Sequence, residues 1–159
     1  MTIAPARPTR LGIISDTHGL LRPEALAALR GYERILHAGD IGKPEVLQAL
    51  SQLAPVTAVR GNNDKGAWAE ELPECARLTL AQTGIYLIHD LADLDIDPAA
   101  AGIRVVISGH SHRPAITERD GVLFLNPGSA GPRRFKLPVT VAELVISDRV
   151  QARIIPLQV

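Results

Sequence analysis

The sequence predicts an α/β protein in which a parallel α/β half is joined to a strand-rich half. Three observations carry that prediction. Apolar strand runs and following loops recur three times before residue 65, with helical patterns between them; this implies βαβ units and a parallel sheet. The second half reads as short strands divided by turn residues. Hydrophobic residues make up 46% of the 159-residue chain but aromatics only 3%, so aliphatic side chains must fill the core.

Taken in order, Met1 to Thr9 reads as a mobile tail with Pro5 and Pro8, and residues 10–159 as one domain, the usual size being about 100–200 residues. Arg10 to Ser15 is too short and too β-branched for a helix and reads as a buried strand. Pro23 to Arg30 starts on proline, spaces Leu26 and Leu29 on one face and stops at Gly31, as a helix would. Glu33 to His37 is a second strand. Pro44 to Leu53 is a second helix, with Val46, Leu47, Leu50 and Leu53 on one side, and Pro55 to Val59 is a third strand. Ala76 to Leu80 and Ile85 to His89 flank Thr83-Gly84 as in a hairpin. Pro98 to Ala101 reads as part of a short helix and Arg104 to Ser108 as a strand. Ala115 to Glu118, Val122 to Leu125, Val139 to Ile146 and Val150 to Pro156 read as a β meander turning at Asp120-Gly121 and Ser147-Asp148.

Charge narrows the function classes. Seventeen basic and 17 acidic residues leave a formal net charge of zero. A protein that grips nucleic acid by neutralising phosphates carries a basic excess, so no stable nucleic-acid binding is expected. Anionic membrane surfaces demand the same excess, and no uncharged run approaches the ~18 apolar residues of a membrane span. Trp68 is the only tryptophan, which leaves little to stack single-stranded bases. Cys75 is the only cysteine, so neither an internal disulfide nor a thiolate metal cluster can form. That fits a reducing compartment, and with no signal-peptide pattern near Met1 the expected location is cytoplasmic.

The chemistry-bearing residues fall just after predicted strands. Asp16 and His18 follow the first strand, Asp40 the second and Asn62 the third; His89 ends a hairpin strand, and His110 and His112 follow Val105-Val106-Ile107-Ser108. Ligands of open α/β sheets bind at the carboxyl ends of strands, so these seven residues are expected to converge on one edge. Each alone has a plainer reading. Asp16 can cap a turn, Gly61-Asn62 can simply be a turn, and a single His89 can be a satisfied core histidine. Together they form an imidazole, carboxylate and amide donor set without thiolate, which suits Mn²⁺, Fe²⁺, Co²⁺, Ni²⁺ or Zn²⁺. Seven donors exceed one tetrahedral zinc and are enough for two metals sharing a carboxylate.

Ser15-Asp-Thr-His-Gly19, Ala38-Gly-Asp40, Arg60-Gly-Asn-Asn-Asp64, His89, Gly109-His-Ser-His112 and Asn126-Pro-Gly-Ser129 resemble, in that order, the motifs of the calcineurin-like metallophosphoesterase superfamily. The resemblance runs from about Arg10 to Pro156 and is closest to its small YfcE-type bacterial and archaeal phosphodiesterases. It implies a four-layer αββα sandwich: two mixed β-sheets flanked by helices, with a metal site at strand C-terminal ends. It also implies two divalent ions, Mn²⁺ expected first, with Asp16, His18 and His112 on one, Asn62, His89 and His110 on the other, and Asp40 bridging. A water or hydroxide between them would attack phosphorus, with Asp40, Asn62 and His110 as the catalytic residues. The substrate would be a small-molecule or nucleotide phosphodiester. Two departures from the usual motifs stand out. Asn63 occupies the position where many relatives carry a leaving-group histidine, and His89-Asp90-Leu91 replaces a His-Gly-His. Two alternatives share the fold: a phosphomonoesterase or nucleotidase with the same metal site, and a catalytically inactive protein-interaction scaffold, from which filled ligand positions argue away.

The remaining polar residues take structural expectations. His37 is read as core support, Asp64 as a brace for its loop, Asn126 to Ser129 as a rigid turn closing the site, and Arg60, Arg133 and Arg134 as solvated or salt-bridged surface. A Leu-rich helix face allows a homo-oligomer.

Overall fold

The computed structural model describes residues 7–159; the first six residues of the expected tail lie outside it. Among the described residues, ten strands form two five-stranded sheets. The first holds β1 (Thr9–Ile14), β2 (Arg34–His37), β3 (Val56–Ala58), β9 (Thr140–Ile146) and β10 (Val150–Pro156), in the order β10-β9-β1-β2-β3. The second holds β4 (Cys75–Leu80), β5 (Thr83–Ile88), β6 (Ile103–Ile107), β7 (Ala115–Arg119) and β8 (Val122–Asn126), in the order β4-β5-β6-β8-β7. Both are mixed: β1-β2-β3 and β5-β6-β8 run parallel, and the outer pairings are antiparallel. Thr9 already pairs with Ile146, so the ordered sheet starts one residue inside the expected tail.

Alternation along each strand builds the layers. Leu11, Ile13 and Leu36 from the first sheet meet Leu87, Val105, Ile107 and Leu125 from the second in the central core. The next residues along, Ile14 and Ile35, point the other way. They pack under α1 (Pro23–Ala28) and α2 (Pro44–Ser51) through Ala25, Leu29, Val46 and Leu50. Tyr86, Ile88, Val106 and Val122 face outward from the second sheet. Their cover is thinner, a 3₁₀ helix (Leu91–Asp93) and the turns that follow it, which contribute Leu94, Ile96 and Ala101. The sandwich therefore has its four layers, with the fourth made mostly of turns. At roughly 25 cal/mol per Å² of apolar surface removed from water, these aliphatic layers are the main favourable term of folding.

Three local expectations are corrected. The β4–β5 hairpin turns at Ala81-Gln82 rather than Thr83-Gly84: Leu80 pairs with Thr83, and Ala81 and Gln82 take positive φ of 48° and 63°, as a two-residue hairpin turn requires. Residues 98–101 lie in turns, and a short helix, α3 (Ala67–Glu70), forms where none was expected. The four C-terminal strands are not one meander. β7 and β8 close the second sheet while β9 and β10 close the first, so the chain crosses between sheets at Asn126 to Val139. That crossing carries Ser129 and Ala130 against the loop after β1.

Candidate metal centre

The candidate ligands lie on the loops that leave the C-terminal ends of parallel strands. Those loops are tied together through their backbones. Asp16 N–H donates to Gly39 O at 3.0 Å, His18 N–H to Asp40 O at 2.9 Å, Gly109 N–H to His89 O at 2.9 Å and Ala130 N–H to Ser15 O at 3.0 Å. The loops are sharply bent. Nine non-glycine residues among those described have positive φ, and five of them are candidate ligands: Asp16, His18, Asp40, His110 and His112. Such conformations cost on the order of 1–3 kcal/mol each and persist where surrounding structure over-determines them, typically at functional sites.

Six of the seven expected residues fall into two groups, Asp16, His18 and His112 in one and Asp40, His89 and His110 in the other, with donor atoms in each group within 4.8 Å of one another. Asp40 Oδ2 links the two, lying 3.3 Å from His89 Nε2 and 3.7 Å from His18 Nε2. Asp16 Oδ1 lies 3.3 Å from His112 Nε2 and 3.6 Å from His18 Nε2. Asn62, the seventh, is placed on the same rim, its Oδ1 3.2 Å from His110 Nδ1.

The donor atoms behave as a metal site requires. The other oxygen of Asp16, Oδ2, accepts from Ser15 Oγ at 2.6 Å and from His110 N–H at 3.0 Å, which leaves Oδ1 buried without a hydrogen-bond partner. His89 Nδ1 donates to Ala38 O at 2.8 Å, so its unpartnered, buried Nε2 presents a lone pair to the cluster. A buried lone pair facing a carboxylate is costly unless a proton or a cation sits between them. The residues therefore fit divalent cations. Without a cation, protons do part of that work. Burial alone would raise Asp16 and Asp40. The nearby His18 imidazole and the Ser15 hydroxyl hold Asp16 below its usual range, and the nearby His89 imidazole with the Asn63 backbone N–H brings Asp40 to about 2. His18 is raised by its bond to Asp16; His89 is raised by Asp40 and Asp16 against the opposing effect of burial. His112 is lowered, chiefly by burial.

Several supporting residues come into view only here. Asn63 turns its side-chain amide onto Asp40 Oδ2 at 3.2 Å and its backbone N–H onto Oδ1 at 2.9 Å. Asp90 places Oδ2 3.6 Å from His110 Nε2. Asn126 donates to Gly109 O and Ser111 Oγ, both at 3.1 Å, and so holds the loop bearing His110 and His112. Ser129 Oγ donates to Asp16 O at 3.0 Å. The motif context flagged these positions, but only the fold supplies their partners. Asp64 braces its loop as expected, accepting from the backbone of Ile41, Gly42 and Gly61 at 3.2, 3.0 and 2.9 Å. His37 is core support: Gly39 N–H donates to Nδ1 at 3.1 Å and Nε2 meets Thr17 Oγ1 at 3.0 Å, whose own proton goes to Ile41 O. Arg60 pairs with Glu74 at 3.0 Å, and Arg133 donates to Val159 O. At Gly61 a Cβ would collide with the backbone N and Oδ1 of Asp40, so any side chain there forces the loop to shift.

The model of the calcineurin-like phosphoesterase superfamily domain matches residues 9–149. The chain belongs to that superfamily. A probable metallophosphoesterase of Methanothermobacter thermautotrophicus is 36% identical to this calcineurin-like chain over 157 residues, covering 91% of each protein. Among solved structures, a novel archaeal phosphodiesterase superposes with a TM-score of 0.79 at 25% identity, over 93% of this chain and 99% of the other. Vps29 of Chaetomium thermophilum reaches a TM-score of 0.74 at 18% identity, over 92% and 96%, and shares the fold. The calcineurin-like chain is thus a phosphoesterase-family hydrolase with two candidate metal-binding groups. No helix among the described residues is long and apolar enough to cross a membrane.

Proposed function

We propose that the protein is a dinuclear, metal-dependent phosphodiesterase acting on small-molecule or nucleotide diesters. The observation that carries this reading is Asp40 Oδ2, within 3.7 Å of imidazole nitrogens from both ligand groups. A carboxylate oxygen so placed is suited to bridge two cations. Asp16, His18 and His112 would hold one and Asn62, His89 and His110 the other. When bound, the two cations supply Lewis acidity, activating water at neutral pH and clamping the phosphoryl oxygens of an in-line displacement. The thiolate-free set of four imidazoles, two carboxylates and one amide suits Mn²⁺, Fe²⁺, Co²⁺, Ni²⁺ or Zn²⁺, and the family resemblance puts Mn²⁺ first.

The chain's own residues do the rest. Asp40 holds the two groups in register, and Asn63 donates to both of its oxygens, which favours the ionised form. His89, with its proton fixed on Nδ1 by Ala38 O, keeps Nε2 free to ligate. Asn62 and His110, paired at 3.2 Å, line the rim where a phosphoryl oxygen would lie; His110 Nδ1–H orients the Asn62 amide, whose N–H groups would donate to the charge that develops there. Asn63 carries no titratable proton to give a departing alkoxide, so the reading favours diesters with good leaving groups. No observation favours the scaffold reading over this one, since all seven ligand positions are filled. The lone, exposed thiol of Cys75 supports a reducing, cytoplasmic setting.

The test is Mn²⁺-loaded hydrolysis of bis(p-nitrophenyl) phosphate beside p-nitrophenyl phosphate, with metal analysis. Two metals per chain and faster diester cleavage are expected. Asp40→Asn should lower diester turnover by at least ~10³-fold, because it removes the bridging charge. Full activity in that variant would refute the two-metal mechanism, and faster monoester cleavage would replace the diesterase by a phosphomonoesterase.

A further inference from the structure

A cavity of about 350 Å³ opens beside the second ligand group, against Asn62, His89 and Asp90. Its wall is apolar where Tyr86 and Ile88 line it, both more than nine-tenths buried. His89 is 4% exposed, and its unpartnered Nε2 belongs to the metal cluster at the cavity's inner end. The cavity would therefore be continuous with the reacting phosphate and open to one ester arm of a diester.

The charge of this cavity is one-sided. Arg60, the only Lys or Arg lining it among the described residues, is tied to Glu74 at 3.0 Å. Asp90 caps the 3₁₀ helix through Ala92 N–H with Oδ1 and faces His110 with Oδ2. Asp93 and Asp95 also line the cavity, and neither makes a salt bridge among the described residues. An arm entering here meets the exposed carboxylates of Asp93 and Asp95, which no cation pairs among the described residues. A second phosphate or a carboxylate would be repelled. A positive charge would be attracted, with apolar surface to receive its alkyl groups.

We propose that this cavity is a subsite for a cationic ester arm, and that phosphodiesters of amino alcohols, such as choline esters, are the preferred substrate class. The proposal rests on the phosphodiesterase reading. Asp93 and Asp95 are the specificity-determining residues, and neither is a ligand nor part of the bond-breaking machinery. In the assay reaction water adds to phosphorus and the P–O bond to p-nitrophenol breaks. p-Nitrophenolate leaves, one proton goes to solvent, and the alkyl phosphate monoester remains.

The probes are p-nitrophenyl phosphocholine and p-nitrophenyl 3,3-dimethylbutyl phosphate, which differ only in the ammonium charge. With the Mn²⁺-loaded full chain at low ionic strength, kcat/KM should favour the choline ester about tenfold, equivalent to about 1.4 kcal/mol. The Asp93→Asn/Asp95→Asn double variant should bring the ratio to about one through the choline ester alone. High salt should also narrow it. Calorimetric binding of phosphocholine and 3,3-dimethylbutyl phosphate gives the same comparison without turnover. Equal rates in the wild type, or a ratio untouched by the double variant, would overturn the subsite. If neither diester is hydrolysed, the phosphodiesterase reading fails. The binding ratio then still decides the subsite: tenfold supports it and unity overturns it.

Discussion

His37 makes a prediction that separates the scaffold of the site from its chemistry. The ring is fully buried, accepts from Gly39 N–H and donates to Thr17, and so is held neutral. Burial lowers its pKa from 6.5 to about 4. The unfolded chain therefore takes up a proton on His37 at a higher pH than the folded protein. The folded state is fully stable with respect to this group above pH 6.5, and loses stability as pH falls toward 4. Between pH 7.5 and 4.5 the two pKa values give a loss of about 2–3 kcal/mol. At this chain length that is roughly 5–10 °C in Tm. His37→Gln and His37→Asn each keep one polar atom of the imidazole and cannot titrate. Both should cost stability at pH 7.5, because a hydrogen bond is lost, but their pH dependence should be flatter than the wild type's by that amount. The measurement is urea unfolding of the chelator-treated protein at several pH values. Comparison with wild type cancels the opposite contributions of His18 and His89, whose raised pKa values stabilise below pH 6.5 and lose that effect as pH rises. Identical slopes in wild type and variants would refute the neutral, buried assignment of His37.

Other consequences follow from the same contacts. Asp64→Ala strips three backbone N–H groups of their acceptor in a buried loop and should cost about 3 kcal/mol, read as a fall in Tm; a shift of under a degree would remove Asp64 from the frame. Gly61→Ala pushes a methyl into Asp40. It should cut metal occupancy measured by elemental analysis, with far-UV circular dichroism unchanged; full occupancy would show that the loop can yield. Because Asn63 has no proton to transfer, a series of aryl and alkyl diesters should show rates that fall steeply as leaving-group pKa rises. A flat series would mean that some other group, such as Asp90 or His110, acts as acid.

The strands and helices of the first half were legible because their residues have simple periods. Pro23 and Pro44 mark the helix starts, and Ile13-Ile14 and Ile35-Leu36 divide between the two faces of one sheet. The seven candidate ligands were legible as a set, since parallel strands bring their C-terminal loops to one edge. The last four strands were not. Local pattern cannot say that β8 pairs with β6 and β7 while β9 crosses to β1, because pairing is settled by long-range burial. The Ala81-Gln82 turn was missed for a related reason: Thr83-Gly84 carries the stronger turn signal, but the register of β4 on β5 imposes positive φ on ordinary residues.

By itself the sequence determined the family, the α/β class and which side chains are the candidate ligands, because residue type and motif order are written in the chain. Only the tertiary structure decided how those side chains are placed and partnered. The shared position of Asp40 Oδ2, the tautomers of His37 and His89, the amide of Asn63 on Asp40 and the acidic cavity beyond His89 each join residues from separate strands. The physical reason is distance. Hydrogen bonds and charge act over a few ångströms, and those separations exist only once the two sheets have packed and their loops have bent toward one edge.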